Sequence, residues 1–169
     1  LEMIDGITQD FSNSLSDKEQ SYIFSSFQKG LNAAIIISDW RLSNLEMIRA
    51  ATNDLEGIKN NFILNQPHLA NSKWAYNQFL EKILKSWLLK TGATRPELKG
   101  KGHQLNHLVN MFNKNYQNKI DEYKIPTIIG DASLRYDEIE ITNEDLIKVQ
   151  DSVFDIILQI GSSPKSLKQ

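Results

Sequence analysis

The stretch that decides the fold reads WAYNQFLEKILKSWLLK over residues 74–90, TGATRPELKGKG over 91–102 and HQLNHLVNMF over 103–112. In the first segment the apolar residues recur every three or four positions, which is the period of one face of an α-helix. These residues are Tyr76, Phe79, Leu80, Ile83, Leu84 and Trp87. The pattern predicts an amphipathic helix that packs this face into a core.

The opposite face of this helix carries Gln78, Glu81 and Lys85. Glu81 precedes Lys85 by four residues, the favourable order for a helical ion pair, which is worth only ~0.3–0.5 kcal/mol where it is exposed. Gly92 is suited to end the helix in a left-handed conformation. Pro96 is expected to keep residue 95 out of helix.

The segment from residue 103 predicts a second helix, beginning near His103. Its core face is Leu105, Leu108, Val109 and Phe112. His103 and His107 lie one turn apart on the other face, a spacing that two metal ligands on a helix use. The spacing alone is weak without a third ligand, and we predict neither a metal nor a cofactor.

Further helices are predicted on both sides of this stretch. Ser16–Glu19 and Ser43–Glu46 both fit the capping-box pattern, and Thr142 precedes Asp145 in the same way. The start of the helix over residues 74–90 is assigned to a cap at Asn71 or Ser72. Gly161 ends the last helix. The connection over residues 126–141 is long enough to suggest a functional loop or a lid.

The helix after Ser16 has an apolar stripe that is broader than one core face needs. The stripe consists of Ile23, Phe24, Phe27, Leu31, Ala34 and Ile35, and Ile36 and Ile37 widen it. Such a helix is either central in the core or half of an oligomer contact. A homodimer is therefore expected if the second alternative holds.

The fold class predicted from these patterns is all-α: a five-helix up-and-down bundle in which the first helix is an addition. Residues 1–42 form an N-terminal extension with one helix packed on the bundle. Residues 43–161 form the main helical domain, and 162–169 form a flexible tail.

The amino-acid composition limits the classes of function that are possible. The 169 residues include 19 Lys and Arg against 21 Asp and Glu, so no chain-wide positive field is present to hold nucleic acid, and such a contact needs a local patch. The absence of cysteine excludes thiolate metal sites and is compatible with a cytoplasmic location. No apolar run approaches a membrane span of ~18 residues, so no membrane contact is predicted.

Two short segments are candidates for binding phosphate. Lys99-Gly-Lys-Gly102 precedes the helix at His103, where glycine backbone, lysine charge and a helix N-terminus can favour an anion. Arg135-Tyr136 combines a bidentate phosphate ligand with a ring that can stack on a base. A plain flexible turn and a structural loop arginine are the alternatives.

Taken in order, several short motifs resemble the HEPN family, the higher eukaryotes and prokaryotes nucleotide-binding domains. The motifs are Asp54-Leu55, Gln78-x-x-Glu81-x-x-x-Lys85, Gly102-His103-x-Leu105 and Arg135-Tyr136 before a Thr-capped helix. The likeness covers roughly residues 43–160. By position, the resemblance implies a ligand or phosphate site formed by Glu81, Lys85, His103, Arg135 and Tyr136.

The resemblance also implies a helical bundle that is usually dimeric and that binds nucleotide or RNA, partners a nucleotidyltransferase-type protein, or cleaves RNA without a metal in toxin-antitoxin and defence systems. The ribonucleases of this family share a motif in which an arginine is followed by four to six residues and then by a histidine. Here seven residues separate Arg95 from His103. The favoured hypothesis is a non-catalytic module; the alternatives are a ribonuclease with His103 as general base, and a structural dimerisation protein.

Overall fold

The fold is built from helices. The structure, a computed structural model, describes residues 8–62, 67–99, 104–130, 133–134 and 140–167. Over these ranges it contains the 3-10 helix Glu122–Lys124, further 3-10 residues at 133–134, and eight α-helices. These are α1 (Gln9–Ser14), α2 (Asp17–Leu42), α3 (Ile48–Phe62), α4 (Leu69–Lys90), α5 (Arg95–Lys99), α6 (Leu105–Asn115), α7 (Ile125–Ile128) and α8 (Asn143–Ile160). The all-α class is confirmed; the up-and-down HEPN arrangement stays a prediction.

The predicted starts of α2 and α8 are confirmed by their caps. The Ser16 hydroxyl accepts a hydrogen bond from the Glu19 backbone N–H, and the Glu19 carboxylate accepts one from the Ser16 N–H. Thr142 and Asp145 form the same reciprocal pair at α8. Gly161, at the end of α8, has a positive φ of 72°, a conformation that glycine adopts at little steric cost.

The predicted starts of α3 and α4 are wrong. Ser43 belongs to the end of α2, because its hydroxyl donates to the Trp40 carbonyl at 2.7 Å, and α3 begins only at Ile48. The helix α4 begins at Leu69, before both predicted caps. The Asn61 side chain instead bonds both the N–H and the carbonyl of His68, so the turn before α4 is fixed by a residue of α3.

Two prolines lie in the first turns of short helices, and the expectation that Pro96 keeps residue 95 out of helix is wrong. Pro96 is the second residue of α5, and Pro126 is at the start of α7. The missing N–H of proline costs nothing there, since the first N–H groups of a helix have no partner within it. Part of the connection predicted over residues 126–141 is therefore helical.

The central helix is α4, which packs against α3, α6 and α8. Its predicted core face is confirmed: Leu84 is fully buried, as is Ile157 of α8, while Gln78 is only partly buried. Aromatic side chains link its end to α6. Trp87 makes an edge contact with the Tyr116 ring, whose hydroxyl donates to the Trp87 carbonyl at 2.7 Å. Burial raises the pKa of Tyr116 to about 12.

The described part of the C-terminal segment is bonded to the bundle. The Gln117 N–H donates to the Lys165 carbonyl at 2.8 Å, and the Leu167 N–H donates to the Asn115 carbonyl at 2.7 Å. The Trp40 indole N–H donates to the carbonyl of Gly161 at 3.0 Å. These bonds join α2, α6 and the segment after α8 up to residue 167. The flexibility of the tail stays a prediction.

The structure shows which apolar side of α2 faces the core. The residues of α2 that face the core are Ala33, Ile37 and Trp40. The orientation of the helix is fixed by Lys29, whose ammonium lies 2.7 Å from Asp151 and 2.9 Å from Asp155 of α8. The residues of the predicted apolar stripe lie mostly on the outer side. Together with the last residue of α2, these exposed side chains, here named the α2 stripe, are Phe24, Phe27, Leu31, Ile35 and Leu42.

Among the described helices, none combines the length and the apolar character needed to cross a membrane.

Candidate functional site

Two of the predicted site residues, Glu81 and Lys85, lie in the middle of α4. The other three, His103, Arg135 and Tyr136, lie outside the described residues. Their part in the site stays a prediction, and the site is built here from the described residues around Lys85.

Glu81 and Lys85 form a buried ion pair, not the exposed one that the sequence suggested. The Lys85 ammonium donates to the Glu81 carboxylate at 2.6 Å, and the two side chains are only 13% and 7% exposed, respectively. The Gln78 amide donates to the other Glu81 oxygen at 3.4 Å. The helix face that carries them was expected to be solvated, but α4 is surrounded by packed helices and is buried on this side too.

A second ion pair lies beside the first, between α3 and α4. The Lys82 ammonium donates to the Asp54 carboxylate at 2.6 Å. Burial raises the pKa of Asp54, and the nearby negative charge of Glu81 raises it further, while the bond to Lys82 opposes both. A layer of charged groups therefore runs along α4, from the partly buried Asp54–Lys82 pair to the more deeply buried Glu81–Lys85 pair. A buried charge without a partner is costly there.

Asn77, one turn before Glu81, extends this polar layer. Its side chain is fully buried, and neither its amide nitrogen nor its amide oxygen has a hydrogen-bond partner among the described residues. Buried polar groups are nearly always hydrogen-bonded, so an unsatisfied amide of this kind is unusual and marks a position where packing alone does not explain the residue.

A cavity of about 250 Å³ opens at the far end of the polar layer. Its lining combines three cationic and three apolar side chains: Met47, Lys85, Leu89, Arg95, Leu98 and Lys99. The cationic residues come from α4 and α5, which the turn at Gly92 joins. The structure thus brings Lys85 together with the start of the basic turn that the sequence singled out.

The cations at the cavity differ in how strongly they are held. Arg95 forms an ion pair with Glu46, and the side chains are 78% and 43% exposed. Lys99 is exposed and makes no ion pair with a described residue. Lys85 is the buried one and is already neutralised by Glu81. The mouth of the cavity is therefore more available to an anion than its inner wall.

The opposite wall of the cavity comes from the α2–α3 turn, where the backbone is unusual. Asn44 and Met47 both have positive φ values, 51° and 66°. This conformation is uncommon for residues other than glycine, and for methionine it costs of order 1 kcal/mol or more. The turn is held by the Ser86 hydroxyl, which donates to the carbonyl of Glu46. Such conformations cluster at binding sites and switches.

Sequence reasoning missed the Asp54–Lys82 pair, Asn77 and Met47. Asp54 was available as part of the HEPN-like pattern, but its partner is 28 positions away and no local spacing indicates it. Asn77 precedes Glu81 by four residues on one helix face, and that spacing was the available signal. The positive φ at Met47 has no sequence signal, because glycine or asparagine is the usual residue there.

Comparison with protein-family models, with curated proteins and with solved structures finds nothing that matches this chain.

Proposed function

We propose that this chain is a non-catalytic, HEPN-like module that binds the phosphate of a nucleotide or of RNA at the cavity between α4, α5 and the α2–α3 turn. The observation that supports it most is the convergence of Lys85, Arg95 and Lys99 on one cavity of about 250 Å³. A role in a toxin-antitoxin or defence system, beside a nucleotidyltransferase-type partner, belongs to the same hypothesis.

The exposed cations are the groups that would contact phosphate first. The exposed pair of Arg95 with Glu46 is worth only about 0–1 kcal/mol, so Arg95 can exchange Glu46 for a phosphate at little cost. Its guanidinium can then bind two phosphate oxygens at once. Lys99 adds a second cation, while Lys85, neutralised by Glu81, forms part of the inner wall.

The apolar half of the lining suits the rest of a nucleotide. Met47, Leu89 and Leu98 offer apolar contact to a ribose or a base edge. A cavity of about 250 Å³ lies below the roughly 300–1,000 Å³ of sites that enclose a whole ligand. We therefore expect it to hold a phosphate with its sugar, with the base contacted elsewhere. His103, which follows Lys99 by four residues in the sequence, and Arg135 with Tyr136 are proposed for that contact.

The test is a calorimetric titration with ATP, GTP and a short single-stranded RNA at two salt concentrations. We expect Lys99→Ala and Arg95→Ala each to weaken binding by about tenfold or more, since a hydrogen bond to a charged group contributes about 1.5–3 kcal/mol. Binding should also weaken with added salt.

The matched control is Lys148→Ala, because Lys148 is also an exposed helix lysine but lies on α8 away from the cavity lining. Its affinity should equal that of the unmodified chain. No binding at millimolar ligand, or equal losses in Lys99→Ala and Lys148→Ala, would refute the proposal.

One observation favours the structural alternative. Lys85 is engaged with Glu81 in a short, buried ion pair, so it carries little net charge toward a ligand. If no ligand binds, the role of the Glu81–Lys85 pair is to fix the packing of α4, and the chain is an interaction module. The ribonuclease alternative has no comparable support from the described residues.

A further inference from the structure

The outer face of α2 is apolar along most of its length. Phe24, Leu31 and Ile35 are 62%, 51% and 53% exposed, and Phe27 and Leu42 are exposed too. The spacings of three, four, four and seven residues place all five members of the α2 stripe on one face of the helix. This face lies opposite the one that Ala33, Ile37 and Trp40 bury.

From Phe24 to Ile35 the α2 stripe has no charged neighbour on its own face. The exposed Asp39 lies at its C-terminal end, one turn before Leu42. Between residues 20 and 38, the only charged residue is Lys29, and its ammonium is paired with Asp151 and Asp155 of α8 on the inner side. Exposed helix faces usually carry charged residues, as α8 does with its Glu144–Lys148 pair. Depletion of charge around exposed aromatic residues is the composition of the centre of a protein interface.

The exposed area is sufficient for a stable dimer. Taken together, the five residues expose as much surface as nearly three fully exposed residues would. This corresponds to roughly 500 Å² of accessible surface. A standard interface buries about 800 Å² on each partner, of which roughly 60% is apolar. Such an interface needs roughly 480 Å² of apolar surface from each copy, which the α2 stripe supplies.

We propose that the α2 stripe binds the α2 stripe of a second copy of this chain across a two-fold axis. In a two-fold contact the same face of both copies is used. A charged residue near the centre of that face would therefore lie beside the identical residue of the second copy. The uncharged segment from residue 20 to 38 satisfies this condition. A membrane surface is a poorer occupant, because helices that bind one are rich in Lys and Arg on the polar side.

A groove continuous with the α2 stripe gives the second copy a place to anchor. Ala34, beside the stripe, lines a cavity of about 480 Å³ to which α2, α3, α4 and α8 all contribute. The cavity is walled mostly by apolar side chains, among them Ile58, Phe62 and Phe154. An aromatic side chain inserted into such a pocket is the usual anchor of an interface. The proposal does not depend on phosphate binding, which uses a different part of the molecule.

Sedimentation equilibrium from 1 to 200 µM tests the dimer on three proteins: the unmodified chain, Leu31→Lys and Ile147→Lys. Ile147 is a matched control, because it is 53% exposed against 51% for Leu31 but lies on α8. We expect a dimer for the unmodified chain and for Ile147→Lys, and a dimer affinity at least tenfold lower for Leu31→Lys.

Cross-linking gives a second test that keeps the surface apolar. The chain contains no cysteine, so Leu31→Cys and Ile147→Cys each carry a single thiol. A short bismaleimide should link two copies of Leu31→Cys and leave Ile147→Cys unlinked, with circular dichroism checking that both are folded. A monomer at 200 µM, or equal cross-linking of the two variants, would overturn the proposal.

Discussion

At the scale of single residues, the Glu81–Lys85 pair shows how burial changes the contribution of an ion pair to stability. The same spacing of four residues recurs in the Glu144–Lys148 pair of α8, whose side chains are 79% and 59% exposed. The spacing alone does not distinguish the two pairs. Which of them is buried depends on the helices packed around α4, and those come from distant parts of the chain.

This difference leads to a prediction for stability. Glu81→Ala should lower the free energy of unfolding by about 3–5 kcal/mol, because it leaves the Lys85 ammonium buried without its carboxylate. Glu144→Ala, in the exposed pair, should cost no more than about 1 kcal/mol. Urea denaturation followed by circular dichroism measures both. Similar losses in the two variants would show that the Glu81–Lys85 pair is solvated and that α4 is not central.

The remaining residue-scale findings could not be read from the sequence. Gln78, Glu81 and Lys85 were correctly placed on one helix face, because helical periodicity is local. That Lys85 shares a cavity with Arg95 and Lys99 depends on the turn at Gly92 and on how α5 folds back. The contribution of His103, Arg135 and Tyr136 stays a prediction.

At the scale of helices, α2 shows that hydrophobic periodicity alone does not decide which face of a helix packs into the core. Its sequence is apolar on two sides, and the pattern left open whether the side with Phe24, Phe27 and Leu31 faces the core or an oligomer contact. The structure turns that face outward because Lys29 reaches Asp151 and Asp155 on α8. Those carboxylates lie more than 120 positions away, so no local pattern could select between the faces.

Helix ends were predictable where the capping bond is local and unambiguous. Ser16 and Thr142 cap α2 and α8 as expected, since both partners lie within three residues. Ser43 has the same spacing to an acidic residue, yet its hydroxyl bonds backward to Trp40 and ends a helix. A serine can bond to backbone on either side, so its sequence position alone does not give the direction.

The contact between α2 and α8 predicts a pH dependence. Burial raises the pKa of Asp155, but the hydrogen bonds from Lys124 and Lys29 outweigh it, so the pKa is lowered overall. A carboxyl group with a depressed folded-state pKa stabilises the fold above its unfolded pKa of about 3.9, and this contribution is lost as the pH falls through the folded value.

Asp155→Asn should therefore be less stable than the unmodified chain at pH 7, by about 1–3 kcal/mol. The difference should shrink as the pH falls below about 4. Asp39→Asn, at an exposed position of α2, is the control and should follow the unmodified chain. Thermal unfolding at a series of pH values provides the data, and a stability difference that stays constant down to pH 2 would contradict the assignment.

At the scale of the whole molecule, two surfaces stand apart from the ordinary exterior. One is the cationic cavity around Lys99, and the other is the α2 stripe. The all-α class followed from periodicity alone, because each long helix carries its own apolar face. The cationic cavity needed the folded arrangement, since it combines segments that are separate in the sequence. The apolar stripe was visible in the sequence, but the structure was needed to show that it faces outward.

The measurement that tests the proposed function most directly is nuclear magnetic resonance mapping of ATP on the isotopically labelled chain. We predict that the largest shifts of backbone amide signals fall on Met47, Lys85, Leu89, Leu98 and Lys99, which line the cationic cavity. They should saturate with ATP and disappear in Lys99→Ala. No shifts at millimolar ATP, or shifts confined to the apolar cavity beside α2, would contradict phosphate binding at this site.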